Sequence, residues 1–593
     1  MTIDSVTLEV VRNACIAIAE EMNANLIRTG YSPNIKERRD CSCALFDDDA
    51  EMIAQAENMP VHLGAMPFSV KAAIDRFPPE TLSPGDAILL NDPFYGGAHL
   101  PDLTLVTPIF AGPDGSPVDP GTDTEDRELV AFAANRAHHA DVGGSQAGSV
   151  AADSTEIYQE GIRIPPVKLF VGGEANEAIF DMILSNVRTP DERRGDLRAQ
   201  EAANQTGTRR FLELVEKYGQ ETLTEALAEV KDYSERRMRA EIRDLDDGTY
   251  AFADMLDDDG CGNEELPIEA EVTIEGDHVT VDFEGSAPQT DGPVNAVFAV
   301  TASATYYAVR CVTDPDIPPN HGCYRPITVD APSGTIVNPE PPAAVVGGNL
   351  ETSQRVTDAV LGALAKESPE RVTAAGQGTM NNITFGGTDP RDGSPYAFYE
   401  TQGGGFGGRS GKDGMDGVHV HMSNTMNTPV EVLETAYPLR VTRYQLRPDS
   451  GGAGEFRGGL GLRRDIQVRD HEARFSLLAD RHRHQPYGLA GGGPGECGAA
   501  YLQTDGESRR LPQKSTHSLP PGATVSIRTP GAGGYGDPAD RNPAAIERDL
   551  RLGKVSADAA REQYGYEATD ESDRLAGVAT GESSADTEGS DAE

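Results

Sequence analysis

Between Ser5 and Thr29 the apolar residues Val6, Val10, Ile16, Ile18, Met22 and Leu26 recur near a helical period, with Asp4 or Ser5 placed to cap the start and Gly30 beyond the end. The chain therefore opens on an amphipathic helix. Residues 86–95, 103–110 and 129–135 are short apolar runs bounded by Gly, Pro, Asn and Asp, the pattern of buried strands with loops at their ends. The stretch GPDGSPVDPGTDTEDR (112–127) is too rich in Pro, Gly and Asp to pack a core and reads as an inserted surface loop. Charge-rich residues 189–245 keep helical spacing up to an Asp-Gly pair at 247–248, so two or three helices are expected there. In 268–285 two alternating runs flank a Gly-Asp turn, which predicts a β-hairpin. Residues 352–367 read as a helix, and 437–530, dense in Gly with short β-branched runs, as β-rich.

These elements predict a mixed α/β (α+β), multi-domain chain. An N-terminal α/β region (1–188) is followed by a helical segment (189–246), a central α+β region (247–436) and a β-rich part (437–566). From 567 to 593 the chain carries nine acidic residues against one Arg, with few apolar residues, and is expected to be a disordered tail. No internal repeat is visible. At roughly 150 residues per domain, 593 residues make three or four structural units.

Charge narrows the partners. The net charge is −45 at pH 7, which argues against electrostatic capture of nucleic acid or of an anionic membrane, since both rely on clustered Lys and Arg. Of the 51 basic residues only nine are Lys, there is no Trp, and acidic residues run through the whole chain. That bias fits a halophilic cytoplasm of molar salt, where a Debye length of about 3 Å makes such self-repulsion tolerable. Seven widely spread cysteines form no dense disulfide framework, so a reducing compartment is expected. With no signal-like N-terminus and no run of eighteen apolar residues, the expected location is cytoplasmic.

The chemistry concentrates at the ends of the predicted strands. In NDPFYGGAHLPD (91–102) His99 and Asp102 lie three apart on a Gly-rich loop entering a strand. In NRAHHADVGG (135–144) a strand ends in His138, His139 and Asp141. Two His and two carboxylates make a mixed nitrogen and oxygen set suited to Zn²⁺ or Mn²⁺ with positions left for water, and Asp40 in KERRDCSCALFD offers a third contributor. A strand-end His is also commonly a hydrogen-bonded structural residue, and Asp102 or Asp141 commonly shapes a turn. GGGFGGRSGKDGMDG (403–417) suggests a phosphate loop, but Phe406 stands at the first Gly position and Asp413 replaces the hydroxyl residue, so no nucleotide site is expected. Its glycines either approach a ligand or make tight turns. His419 and His421 in GVHVHMSNT would share one face of a strand.

These motifs, together with EGIRIPPVKL (160–169), GPVNA (292–296), VVGGNLETSQRVTDA (345–359), SNTMNTPVEVLE (423–434) and TPGAGGYGDP (529–538), resemble the hydantoinase B/oxoprolinase family over roughly residues 3–540. The resemblance implies the B subunit of an ATP-dependent cyclic amide hydrolase acting on hydantoin, N-methylhydantoin, 5-oxoproline or lactam rings, and a divalent metal held by Asp40, His99, Asp102 and His138. His139 and Asp141 would stand behind that shell, with Asp141 or a ligand Asp available to accept a proton; whether His138 or His139 is the ligand stays open. It further implies a hydantoinase A-type ATPase partner that uses ATP to phosphorylate the ring before water opens it. The family is also similar to the large subunit of acetone-type carboxylases, which makes an ATP-dependent carboxylase the alternative.

The acidic surface leads to the first prediction. The midpoint of thermal unfolding should rise as KCl is raised from about 0.1 to 3 M, because the Debye length falls from about 10 Å to below 3 Å over that range. Removing residues 567–593 takes away only −8 of the −45 and should leave the salt dependence in place; a midpoint indifferent to salt would remove the halophilic reading.

Overall fold

The computed structural model describes residues 4–56, 58–113, 115–118 and 127–567. Most of the predicted loop at 112–127 and nearly all of the predicted tail at 567–593 lie outside the described residues. The opening helix α1 (Ser5–Thr29) has the predicted bounds: the Asp4 carboxylate accepts from the backbone N–H of Val6 and Thr7, and Gly30 follows its end. Its buried stripe is Val11, Cys15, Ile18, Met22 and Leu26. A single turn, α2 (Pro33–Lys36), leads into the first strand.

The N-terminal body is an antiparallel seven-stranded sheet made of β1 (Cys41–Asp47), β2 (Met52–Gln55), β3 (Ala87–Leu90), β4 (Asp102–Ala111), β5 (Glu128–His138), β6 (Val167–Val171) and β7 (Glu174–Ala175). Their order is β2-β1-β5-β4-β3-β6-β7. Alternate residues divide between two cores. Cys41, Cys43, Leu45, Ala131, Ala133 and Ala137 pack with α1 and with helices α5 (Pro190–Tyr218) and α6 (Gln220–Arg243), which follow the short α4 (Glu177–Leu184). Ala44, Phe46, Phe132 and Ala134 face the other way, into the core that holds Met66 and Val70 of helix α3 (Pro60–Arg76). Burial on both faces is why these strands read as unbroken apolar runs. The run at 86–95 stops as a strand at Leu90, because the Asn91 side chain takes over: it donates to the carbonyls of Leu100 and Ile162 and accepts from Ile164 N–H.

A second sheet contains β8 (Gly248–Asp258), β9 (Glu264–Glu275), β10 (His278–Asp282) and β11 (Ile327–Asp330) in the order β11-β10-β9-β8. The predicted hairpin is β9 to β10, turning at Gly276, whose φ is +63°. Helices α7 (Phe298–Cys311) and α8 (Ser353–Leu364) pack beside it, and α8 is preceded by a π-turn at Gly348–Thr352. The C-terminal region is β-rich as predicted, with strands Asn382–Thr388, Pro395–Glu400, Ala473–Leu478 and Lys514–Leu519 in one sheet and five strands between Leu439 and Arg528 in another. These two sheets share a core that includes Ile383, Phe475, Ile466 and Val525. Between them the Gly-rich segments pack backbone to backbone: Gly405 N–H donates to Pro530 O, Gly459 N–H to Phe406 O and Gly534 N–H to Gly493 O. A Cβ on Gly407 would lie 1.8 Å from Ala374 O, so close approach of main chains, not a ligand, explains this run. Among the described residues no helix is long and apolar enough to cross a membrane.

Helix α3 is fixed by its crossing with α7, where a Cβ on Gly64 would meet Ser303 Cα at 2.7 Å and Ser303 Oγ donates to Pro60 O. Gly64→Ala should therefore cost about 1–3 kcal/mol through overpacking, seen as a lower unfolding midpoint, with Gly64→Val worse.

Candidate metal centre

Three neighbouring strand ends build the site. In the β4–β5 ladder Asp102 is directly opposite His138, and in the β1–β5 ladder Cys41 is opposite Ala137. Asp40, one residue before β1, accepts from His138 N–H through its backbone carbonyl at 3.0 Å. The antiparallel order β1-β5-β4 thus brings the start of β1, the end of β5 and the start of β4 to one edge. His99 sits in the loop that enters β4, and its backbone carbonyl accepts from Asp102 N–H at 3.1 Å.

Side chains converge accordingly. His99 Nε2 is 2.9 Å from Asp102 Oδ1, His138 Nδ1 is 3.0 Å from the same oxygen, and the two ring nitrogens are 3.2 Å apart. Among the described residues His99, Asp102 and His138 are the group whose ligand atoms lie close enough together to hold one metal ion. Ligands about 2.0–2.2 Å from a Zn²⁺ ion would themselves be roughly 3.0–3.5 Å apart, so this spacing is close to one face of a coordination shell. His99 Nδ1 lies 3.3 Å from Val346 O, which assigns it the proton and turns the Nε2 lone pair inward. His138 is stacked on Tyr399 with ring centroids 4.6 Å apart. All three ligand candidates are buried, and Asp102 Oδ2 faces His62 Nε2 at 3.3 Å. Burial opposes ionisation of Asp102, yet His99, His62 and His138 outweigh it and hold the carboxyl well below its ordinary range. A buried carboxylate kept anionic beside two inward-facing imidazoles fits a divalent cation.

Asp40 stands at the rim of the cluster, its carboxylate 3.8 Å from His62 Nε2 and 3.9 Å from Arg38 Nη2. The adjacent pair His138 and His139 separates: His139 Nε2 bonds Gln200 Oε1 at 2.9 Å under α5, and burial, aided by Arg193, lowers its pKa to about 4. Asp141 accepts from the N–H groups of Gly143, Gly148 and Arg188 and pairs with the Arg188 guanidinium at 2.8 Å. Those four donors occupy its lone pairs and order the loop 141–149. His419 and His421 are not on a strand; His419 Nε2 faces Asn427 and His421 lies near Asp358, so they share no ligand position.

Three contributors were not singled out as site residues in the sequence, although Glu160 and Asn349 lie within motifs that carry the family resemblance. His62, at the third position of α3, lies 3.3 Å from Asp102 Oδ2, and no spacing ties it to the other histidines. Asn349 in the π-turn places Nδ2 3.2 Å from His99 Nε2. Glu160, inside the EGIRIPPVKL motif, accepts from Val345 and Val346 N–H at 2.9 and 3.0 Å and so fixes the carbonyl that orients His99.

A family model described as hydantoinase B/oxoprolinase matches residues 4–538. The beta subunit of caprolactamase from Pseudomonas jessenii is 35% identical over 575 residues, 95% of this chain and 96% of that protein. A chain in the crystal structure of the ATP-dependent caprolactamase of that organism superposes with a TM-score of 0.88 at 34% identity, covering 98% of this chain and 99% of that one. 5-Oxoprolinase 1 of Arabidopsis thaliana is 38% identical over 562 residues; the match takes in 90% of this chain and only 42% of that protein. An acetone carboxylase structure, with a TM-score of 0.85 at 19% identity over 96% of this chain and 82% of that one, shares the fold.

Burial raises the pKa of Glu160 from 4.5 to about 8, with the Val346 and Val345 N–H groups pulling the other way. The folded protein therefore keeps a proton that the unfolded chain releases above about 4.5; the resulting stabilisation is complete below that pH and is lost as pH rises towards 8. Glu160→Gln keeps the accepting oxygen and should flatten this slope. Chemical denaturation between pH 5 and 9 should show the variant more stable at the alkaline end, by at most about 5 kcal/mol.

Proposed function

The chain belongs to the hydantoinase B/oxoprolinase family, and on that footing we propose that it is the metal-dependent subunit of an ATP-dependent hydrolase that opens a small cyclic amide ring activated on a partner A-type ATPase subunit. The observation that carries this reading is the buried triad of His99, Asp102 and His138, three ligand atoms within 3.2 Å of one another at the edge of the sheet. His99, Asp102 and His138 would hold the metal, with Asp40 closing the site from the β1 side, and Zn²⁺ or Mn²⁺ suits this donor set. When bound, such an ion supplies Lewis acidity to a carbonyl oxygen and to the attacking water.

The remaining groups have assignable work. His62 orients Asp102 and the Val346 carbonyl orients His99, while Asn349 stands beside the ligand nitrogen of His99 and Asp141 orders the loop that follows His138. Asp40, the outermost carboxylate with His62 beside it, is positioned to accept the proton from the attacking water. A role for ATP on a second subunit agrees with the failed Walker pattern, since Lys412 is an exposed turn residue and the neighbouring glycines are packed against main chain. The match to less than half of 5-oxoprolinase 1 leaves room there for a second functional part. The carboxylase alternative has only a shared fold behind it.

Elemental analysis of the purified complex should find about one divalent transition metal per chain. His99→Ala and Asp102→Ala should lose the metal and abolish ATP-dependent ring opening while the fold survives. His62→Ala should weaken metal binding about 10–100-fold, as removing a group that orients ligands does elsewhere, and His139→Ala should retain the ion. The isolated chain should not hydrolyse ATP. Wild-type protein that takes up no metal on titration, or isolated chain that turns over ATP and loses this on Lys412→Ala, would overturn the assignment.

A further inference from the structure

Behind the metal cluster, one same-face position further into the sheet, lies a second buried polar row. Arg136 precedes His138 by two residues on β5, so the side-chain period of two turns both the same way. Its ladder partners are Thr104 on β4, two residues after Asp102, and Ser42 on β1, two residues after Asp40. All three are at most 1% exposed. Ser42 Oγ accepts from Met59 N–H at 3.3 Å and lies 3.4 Å from His62 Nδ1, which joins β1 to the start of α3.

Arg136 reaches further. Its Nε donates to Thr104 Oγ1 at 2.8 Å and its Nη2 to Ser69 Oγ at 2.6 Å, while Nη1 has no hydrogen-bond partner among the described residues. The Ser69 hydroxyl donates in turn to Gly96 O at 2.6 Å. Ser69 follows His62 by seven residues, two helical turns, and so lies on the same face of α3. Gly96 precedes His99 by three residues, and its loop is pressed on α3: a Cβ there would lie 2.4 Å from Phe68 O. One guanidinium and one hydroxyl thus connect the strand of His138, the strand of Asp102, the helix of His62 and the loop of His99. We propose that Arg136, bridged by Ser69 to Gly96, is a positioning residue for the metal centre: it sets how closely α3 and the His99 loop sit over the ends of β4 and β5, and hence how the ligands converge. This rests on the metal-site assignment above.

A buried cation here could act by charge or by shape, and the two make opposite predictions. As a charge alone Arg136 would repel a divalent ion, and removing it would tighten metal binding. As a planar fork it spans two acceptors on different elements in fixed geometry, which a lysine ammonium on its flexible stem does not reproduce. The contacts favour the fork. Both acceptors are neutral hydroxyls, and the connection through Ser69 ends on a backbone carbonyl of the loop, not on an acid.

The test measures Zn²⁺ and Mn²⁺ affinity of the full-length chain by chelator competition, together with the visible absorption of Co²⁺-loaded protein, which reports ligand geometry. Ser69→Ala leaves every charge and every ligand in place and breaks the link to Gly96; it should weaken metal binding about 10-fold and shift the Co²⁺ bands. Arg136→Lys keeps the charge and loses the fork, and should weaken binding about 10–100-fold. Ser234→Ala, at an equally buried serine of α6 that donates to Val230 O and accepts from Asn320, is the control and should bind metal as wild type does. Wild-type affinity and spectrum in Ser69→Ala, or an equal loss in Ser234→Ala, overturns the positioning role and leaves the metal site standing. So does tighter binding in Arg136→Met with no change in Arg136→Lys, which is the signature of charge alone. Wild-type protein that takes up no metal overturns both.

Discussion

The pairing of Asp102 with His138 across β4 and β5 is the constraint on which the site depends. Ladder register sets a side-chain period of two, so a slip of one residue would turn Asp102 or His138 to the opposite face of the sheet. Register is held from both sides, because the alternation that fills one core with Cys41, Cys43 and Ala133 also fills the other with Ala44, Phe132 and Ala134. The hydrogen bond from His138 N–H to Asp40 O extends the same lock to a third strand. Packing of two hydrophobic cores therefore brings a set of charged and polar side chains to one edge of the sheet.

Around this sheet several buried polar side chains bond one another in connected sets. Asn135, Gln200 and Asn204 bond one another and the carbonyls of Leu103 and Leu105, which seats α5 on the strands that carry the site. Behind the second sheet Asp254, Asp358 and Asp480 enclose Arg355, Arg481 and Lys514. Desolvating so many charges yields little net stability, and losing one partner would strand the others, so such a cluster acts on which packing is allowed. It joins β8, α8 and the strand end at 478–480, and His421 lies beside its Asp358.

The Gly-rich segments show how one sequence feature admits two physical causes. Read along the chain, GGGFGGR and TPGAGGYGDP offer either a ligand cradle or a turn. In the fold Gly405 bonds Pro530 and Gly408 bonds Gly533, so the missing side chains let distant backbones touch. No local pattern distinguishes that contact, because the partner segment lies more than a hundred residues away.

Local patterning alone marked α1 with Asp4 or Ser5 as its cap, three strands of the N-terminal sheet, the β9–β10 turn and the helices before β8, since periodicity, caps and turn residues act over a few neighbours. It also marked His99, Asp102, His138 and Asp40, because each stands at the end of an apolar run whose burial could be read directly. What only the tertiary structure decided is which of those residues meet. Adjacent His138 and His139 look equivalent in sequence, but successive strand-end residues face opposite ways, and one joins Asp102 while the other goes beneath α5 to Gln200. His62, Asn349 and Glu160 reach the cluster from three other segments, and residues brought together across 40 to 250 positions leave no spacing in the chain to find them by.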